Sequence, residues 1–581
     1  MRTFLTFTLF VTLTASAQTL PEGYWPESKS SEILAKTETI RLDPDLSSLT
    51  PEERAALQDL IDVGKIFQKL YESSRHAEAL PAYDKLRVLD VQTKQSKATQ
   101  NLLDLYRLNQ GPIATTLDNK REPFLPVSPQ TPARNVYPLD ATRDEIEKFV
   151  AAHPELRDAI LGERTIVRRA TTNNIGRDQQ MLNTFALLRE LHPDIFTTIR
   201  AMRQTNDPST LYAVPYSVAY ADELVQAFRL LQSAATKIEK SDPEFARYLR
   251  NRGRDLVTND YESGDASWVT GRFKRLNAQI GAYETYDDPM FGAKAFHAVS
   301  ILLLNEKVTN ELRAALGGLQ AIEDALPCPS TPTEAPKRVR EDIPVGVYQV
   351  IADFGQARGT NTATILPNDA LFARRYGRTI LMRENIMKHP SIVAADQRVW
   401  RAATVDAHAN DLATDGNFLR TLWHEIGHYL GPNGEALEDY ADATEEMKAD
   451  LVSLFALHRM NHPSLRAIQA AGVRRTLQNV KPRRDQPYQT MQLIQFNWFL
   501  DKGLISLDGP KLKINYDRYP ETVTSLLREV LKLQHDGNKA AAVAFFDKWT
   551  TWGDAHEKLA ARIREAQGAR FRIVRYAALG E

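Results

Sequence analysis

The chain has almost no cysteine. Cys328 stands alone among 581 residues, so no intramolecular disulfide can form, and stability must come from core size, which this length permits. Its setting, ALPCPSTPTEAPKR, is a proline-rich connector, a poor support for a reactive thiol. An excess of charge of one sign is also missing: 73 basic residues face 74 acidic ones, leaving a net charge of −1. That balance gives no reason to expect a nucleic-acid partner or attachment to an anionic membrane. Beyond the amino terminus there is no apolar run of about 18 residues, the length a span requires, so stable membrane insertion is not expected. No internal repeat is visible, which removes the solenoid architectures.

What remains is ordinary globular material, with 43% hydrophobic and 25% charged residues. The length is too great for one core and suggests about three to four domain-sized units. The amino terminus reads as an export signal. Met1-Arg2 opens a short basic region, Phe4 to Leu13 are mainly apolar, and Ala15-Ser16-Ala17 places small residues where signal peptidase reads. Cleavage after Ala17 would start the mature chain at Gln18, in the periplasm or secreted. No cysteine sits at the cleavage site, where Gln18 stands, so a lipid anchor is not expected.

Local patterns give a first view of the elements. Gln18 to Leu49 is polar and turn-rich and reads as an extended arm. From Pro51 the apolar residues Leu57, Leu60, Ile61, Val63, Ile66, Phe67 and Leu70 follow helical spacing, with Thr50 as cap and Pro51 at the first position. Tyr106 to Tyr137 is rich in proline and reads as loop. VGVYQVIADF, TNTATIL and RTILM have the β-branched and aromatic content of strands, and the tail ARFRIVRYA could add one more.

The chemistry is concentrated in TLWHEIGHYLG and, shortly after it, TEEMKADLVSLFAL. His424 and His428 stand four apart, which on a helix puts both imidazoles on one face. Glu425 lies between them, the spacing of a general base beside a zinc ion held by two histidines. Glu446 follows His428 by 18 residues. Gly431-Pro432-Asn433-Gly434 stops the first helix, so a second helix can bring a carboxylate back. The expected site is one Zn2+ per chain on His424, His428 and Glu446. Glu445, Glu446 and Asp450 lie on or near one helical face beside apolar Ala449, Leu451, Leu454 and Phe455, and carboxylates there are costly without a cation.

The pair of motifs, the second being Glu445-Glu446-Met447-Lys448-Ala449-Asp450, resembles the dipeptidyl peptidase III family of zinc exopeptidases, in a divergent bacterial branch. IGAYETYDDPMFGAKA (from Ile280), YQVIADFGQARGTNTATILPND (from Tyr348) and LIQFNWFLDKG (from Leu493) resemble it too. The likeness runs from about Val136 to the carboxyl end. It implies Glu446 as third zinc ligand, with Glu445 and Asp450 accepting hydrogen bonds from the ligand histidines. It implies that Asn368 binds the free amino end of the peptide. The chain departs from the family in having no extra residue between the histidines. Gln279 falls where the classical enzymes carry a tyrosine, and Tyr488 where they carry a histidine, both as transition-state donors. Gln and Tyr can still donate to an oxyanion.

We therefore expect a mainly α (α+β), two-lobed metallopeptidase, with a helical zinc-binding lobe, a second lobe containing a small β-sheet, and a cleft between them. The segments are a signal peptide (1–17), an N-terminal helical region with an extended arm and proline-rich loop (18–135), and a mainly helical lobe with a cleft segment (136–335). A β-rich cleft segment (336–400), a helical zinc-binding lobe (401–510) and C-terminal helices returning to the first lobe (511–581) follow. The expected activity is release of dipeptides from the amino terminus of an oligopeptide by a monomeric enzyme, with Glu425 as base and Asn368 with Glu284 receiving the substrate ammonium. A related zinc hydrolase of other specificity (endopeptidase or amidohydrolase) and a non-catalytic metal-bearing peptide-binding protein stay open. His458 and His462, also four apart, are read as flanking the acidic helix, and Lys481-Pro482-Arg483-Arg484 as a solvated basic loop.

Overall fold

A computed structural model describes residues 20–581 apart from 206, 329–336, 340–343, 360, 367–371, 373–374, 433 and 478–486. The expected signal peptide and Asn368 lie outside the described residues, as does Lys481-Pro482-Arg483-Arg484. The molecule is mainly helical around one five-stranded sheet, which runs in the order Leu276–Ala282, His297–Leu304, Val345–Gly355, Thr379–Arg383, Ala363–Leu366. The pairings are antiparallel except that between Val345–Gly355 and Thr379–Arg383, which is parallel.

The sheet serves two cores. Successive side chains of a strand point to opposite faces, and here the faces belong to different lobes. Val345, Val347, Ile380 and Met382 join the core built by the later helices, which also holds Trp423, Met447 and Phe499. Tyr348, Val350 and Leu381 join the core with Phe67, Leu231 and Leu249 of the earlier helices. This explains why VGVYQVIADF and RTILM are apolar at nearly every position: a strand covered on both sides has no solvent face to mark.

The helix Pro51–Arg75 packs on strands His297–Leu304 and Val345–Gly355. Gly64 permits the approach, since a methyl group there would collide with the Phe354 ring. Thr50 caps the helix in a reciprocal pair: the Glu53 amide donates to the Thr50 hydroxyl (3.2 Å), and the Thr50 amide donates to the Glu53 carboxylate (2.8 Å).

The chain ends meet. Strand Phe571–Tyr576 pairs in parallel with Thr37–Leu42, from Thr37 beside Phe571 to Leu42 beside Tyr576. The segment read as an extended arm therefore differs from the expectation. It forms the helix Glu27–Leu34 and that strand, because apolar residues in it, among them Trp25, Ile33, Ile40 and Leu42, are buried by distant parts of the chain. The stretch read as loop likewise contains the paired strands Ile113–Thr115 and Arg121–Pro123. No helix among the described residues is long and apolar enough to cross a membrane.

Thr50→Ala removes the hydroxyl acceptor of the cap. We expect a loss of about 1 kcal/mol, read as a lower denaturant midpoint with an unchanged slope; an unaltered midpoint would show that the cap contributes nothing.

Candidate metal centre

The helix Thr414–Gly427 carries His424 and Glu425 and stops with His428 at its cap. The chain turns at Gly431, whose φ of 70° suits glycine, passes through a 3-10 turn at Glu435–Tyr440 and re-enters the lobe as the helix Ala441–Arg459. The two helices pack closely where Gly427 meets Ala449: a Cβ on Gly427 would lie 2.7 Å from the Ala449 carbonyl oxygen. Ala449, Leu451, Leu454 and Phe455 are buried as the pattern required.

This approach brings His424, His428 and Glu446 together, with one potential ligand atom from each inside a span of 4.8 Å. His424 Nδ1 lies 2.8 Å from Asp450 Oδ1, and His428 Nδ1 lies 2.9 Å from Glu445 Oε1. Because a carboxylate only accepts, each Nδ1 carries a proton, which leaves Nε2 as the nitrogen free to bind a metal when the ring is neutral. Those Nε2 atoms face Glu446 Oε2, at 3.2 Å from His424 and 4.0 Å from His428. Ligands around a tetrahedral zinc stand roughly 3.3 Å apart, so the spacing fits. Glu446 Oε2 is buried and has no hydrogen-bond partner of proper geometry, the 3.2 Å approach of His424 notwithstanding. An orphaned carboxylate oxygen facing two imidazole lone pairs is the chemistry of a divalent-cation site, and the residues present could hold one such ion.

The surrounding charges come from residues that the motifs did not reveal. Asp450, 2% exposed, accepts from Arg420 at 2.8 Å, and Arg475 stands 3.6 Å away. Burial opposes ionisation of Asp450, yet Arg420, Arg475 and His424 outweigh it and hold the carboxyl well below its ordinary range. Glu445 is paired with Lys448, itself 2% exposed, at 2.8 Å and also accepts from Gln534. Its pKa falls to about 2, burial being overcome by His428 and Lys448. Burial alone would lower the pKa of His424, but Asp450 and Glu446 raise it to about 9. A proton and a metal ion thus compete for this ring. Arg420 sits four residues before His424 on the same helix and Lys448 three after Glu445, spacings that could have marked them. Arg475 arrives from the helix Leu465–Thr476 with no local signal.

Of the remaining predicted residues, Tyr488 lies at the centre. Burial and the neighbouring Glu446 carboxylate push its hydroxyl pKa up, and the Arg475 guanidinium stands 5.4 Å from its ring. Glu425 is half-buried in the same region. Gln279 and Glu284 are brought together elsewhere, on the wall of a cavity in the five-stranded sheet. There Gln279 Oε1 accepts from Arg383 at 2.8 Å. The strand Ala363–Leu366, which carries another wall residue, Thr364, touches the histidine helix. His458 lies in the last turn of the carboxylate helix, and His462 Nδ1 accepts from the Ser464 amide just beyond it.

No protein-family model matches the chain. Among solved structures, it superposes on dipeptidyl peptidase III from Caldithrix abyssi with a TM-score of 0.77 and 21% identity, over 95% of this chain and 99% of that one. A second match, dipeptidyl-peptidase III from Corallococcus sp. strain EGB, has a TM-score of 0.70 and 24% identity, over 96% and 98%. The chain therefore has the dipeptidyl peptidase III fold, two lobes with one helical and the other containing a small sheet. Among curated proteins, it is 24% identical over 444 residues to Nudix hydrolase 3 of Arabidopsis thaliana, a match covering 72% of this chain and 54% of the plant protein. The chain thus spans about half the length of that relative.

Gly427→Ala should push the two helices apart without deleting a ligand. We expect a stability cost of about 1–3 kcal/mol together with metal affinity about tenfold lower, measured by competition with a chromophoric chelator. Unchanged affinity would mean that the close approach does not set the ligand spacing.

Proposed function

We propose that the protein is an exported zinc-dependent peptidase that releases dipeptides from the amino terminus of oligopeptides, acting as a monomer. The observation that carries this reading is Glu446 Oε2, buried and unpartnered opposite two imidazole nitrogens, with Glu425 between those histidines in sequence. A site built only to hold an ion has no use for that additional carboxylate. The dipeptidyl peptidase III fold supports the choice of a peptide as substrate.

A zinc ion held by His424, His428 and Glu446 would supply Lewis acidity, making water a better nucleophile near neutral pH and polarising a carbonyl. Glu425 takes the proton from the attacking water and returns it to the leaving amine. Asp450 and Glu445 fix the tautomer and orientation of the two imidazoles, so that Nε2 of each is kept for the metal. Tyr488, close to Glu446, donates its hydroxyl to the oxygen that becomes negative as the carbonyl is attacked. Glu284 and Asn368 would receive the substrate ammonium.

One observation favours a related hydrolase of other specificity. Gln279, which the family resemblance assigns to the transition state, is engaged with Arg383 in the sheet cavity. Mass-spectrometric reading of the products from a peptide mixture, with metal-loaded protein and again with chelator, separates the readings. Dipeptides lost from free amino ends are expected, internal cleavage would point to the other hydrolase, and no cleavage to a binding protein.

Glu425→Gln should lower turnover about a thousandfold while the bound metal, measured by elemental mass spectrometry, stays near one per chain. Full activity in this variant would remove the assignment of the base.

A further inference from the structure

The sheet cavity contains a buried cation that the proposed chemistry leaves unused. Arg383 closes the strand Thr379–Arg383 and is 2% exposed. Its Nη1 donates to Thr364 Oγ1 at 2.6 Å, and its Nη2 to Gln279 Oε1 at 2.8 Å and Ser300 Oγ at 3.2 Å. All three acceptors are neutral. The carboxylate that attracts the guanidinium is Asp353, which it does not touch: Ser300 stands between them, its hydroxyl donating to Asp353 Oδ1 at 2.7 Å, while Asp353 Oδ2 already accepts from Tyr576 at 3.1 Å. A guanidinium serving only as counter-charge would touch its carboxylate, as Arg420 touches Asp450 at 2.8 Å.

The cavity also holds unused hydrogen-bonding capacity of both kinds. Arg383 Nε and Gln279 Nε2 are buried donors with no partner, and Gln356 Oε1 is a buried acceptor with none, among the described residues. All three residues line the same space, with Glu284 on the same wall. About 60 Å³ is open to the centre of a water-sized sphere, room for roughly four or five waters. Donors around a buried cation, facing an acceptor and a carboxylate, complement a small group bearing a negative and a positive charge together. Leaving the Nε of a buried guanidinium and a buried amide nitrogen without acceptors is costly, and a ligand carboxylate would relieve both with charge-assisted bonds.

We propose that this cavity is a specificity subsite for an amino-terminal aspartate or glutamate of the substrate. The side-chain carboxylate lies across Arg383 and Gln279 Nε2, and the ammonium faces Gln356 Oε1 and Glu284. The inference rests on the peptidase reading and narrows its substrate class. It connects to the metal centre through Thr364, which fixes Arg383 and belongs to the strand that touches the histidine helix.

The test needs no turnover for its first part. Calorimetric titration of the full metal-loaded chain with the dipeptides Glu-Ala and Gln-Ala should show Glu-Ala bound about tenfold tighter or more; equal binding overturns the proposal. In its second part, two peptides differing only in Glu or Gln at the first position compete in one tube, and the ratio of their kcat/KM values is read from the products. That ratio should favour Glu by about tenfold, fall towards one in Arg383→Gln, and take an intermediate value in Arg383→Lys, which keeps the charge without the fork. A ratio needs only some folded enzyme, so partial unfolding of a variant does not disturb it. If Arg383→Gln does not fold at all, the wild-type ratio and Arg383→Lys decide. Selective binding of Glu-Ala without any cleavage would remove the peptidase reading alone, and cleavage without preference for Glu would remove this subsite alone.

Discussion

Four carboxylates are crowded where the histidine helix meets its neighbour, and three have their burial explained by something fixed in the protein. Asp450 is held between Arg420 and Arg475, Glu445 is paired with Lys448, and Glu425 is only half-buried and keeps contact with solvent. Glu446 is the exception: its Oε2 is buried and faces two imidazole nitrogens with no lysine or arginine paired to it among the described residues. In a poorly polarisable interior such an oxygen must be paired. A proton on His424 is one solution and a divalent ion shared with His428 is another. The second also uses the lone pairs that Asp450 and Glu445 have fixed in place. The centre's chemistry therefore depends on how tightly the two helices pack, and at that point the chain has Gly427 against the Ala449 backbone.

The sheet sets where that centre stands relative to the rest. Ile380 and Met382 face the core shared with the histidine helix, and Leu381, between them, faces the core of the earlier helices. One five-residue strand is thus packed into both lobes, and the cavity at its end, under Arg383, lies where the lobes share a layer. Pockets of this kind, at the junction of two cores, are common places for small ligands. The pairing of Phe571–Tyr576 with Thr37–Leu42 returns the chain to the earlier lobe after it has built the other, so both lobes contain residues far apart in sequence.

Legibility of these features in the sequence follows the range of the interactions. The Thr50 cap and the turn after His428 are decided within a few residues and could be read directly; the tail strand shows in its own composition, but not its distant partner Thr37–Leu42. His424, His428 and Glu446 could be read because their types and spacing are those of metal ligands, and the structure brings them together. The arm carries no such local signal: Trp25 and Ile33 are buried by residues such as Leu86 and Phe124, and Ile40 and Leu42 beside Val574 and Tyr576 hundreds of positions away, and burial is not local information. Arg475 and Arg383 carry no signal for the same reason. Each looks like one more surface cation until its fold neighbours are known. The apolar continuity of RTILM shows a strand buried on both sides, but not that its last residue is a guanidinium turned into a cavity.

Arg383 determines how the Gln279 side chain is used. A glutamine side chain offers one acceptor and two donor hydrogens, and the arginine settles which way round it sits, because only the carbonyl oxygen can accept from Nη2. The amide nitrogen is then directed away from Arg383, buried and without a partner. A tyrosine at this position would bring a single hydroxyl, able to donate to an oxyanion but unable to accept from an arginine and donate to a ligand with separate atoms. Gln279 and Arg383 together form one oriented donor set, which suits a ground-state carboxylate as well as it suits a developing oxyanion. Under the proposed reading, Gln279 would serve recognition, and Tyr488, beside Glu446, would supply the hydrogen bond nearer the metal centre.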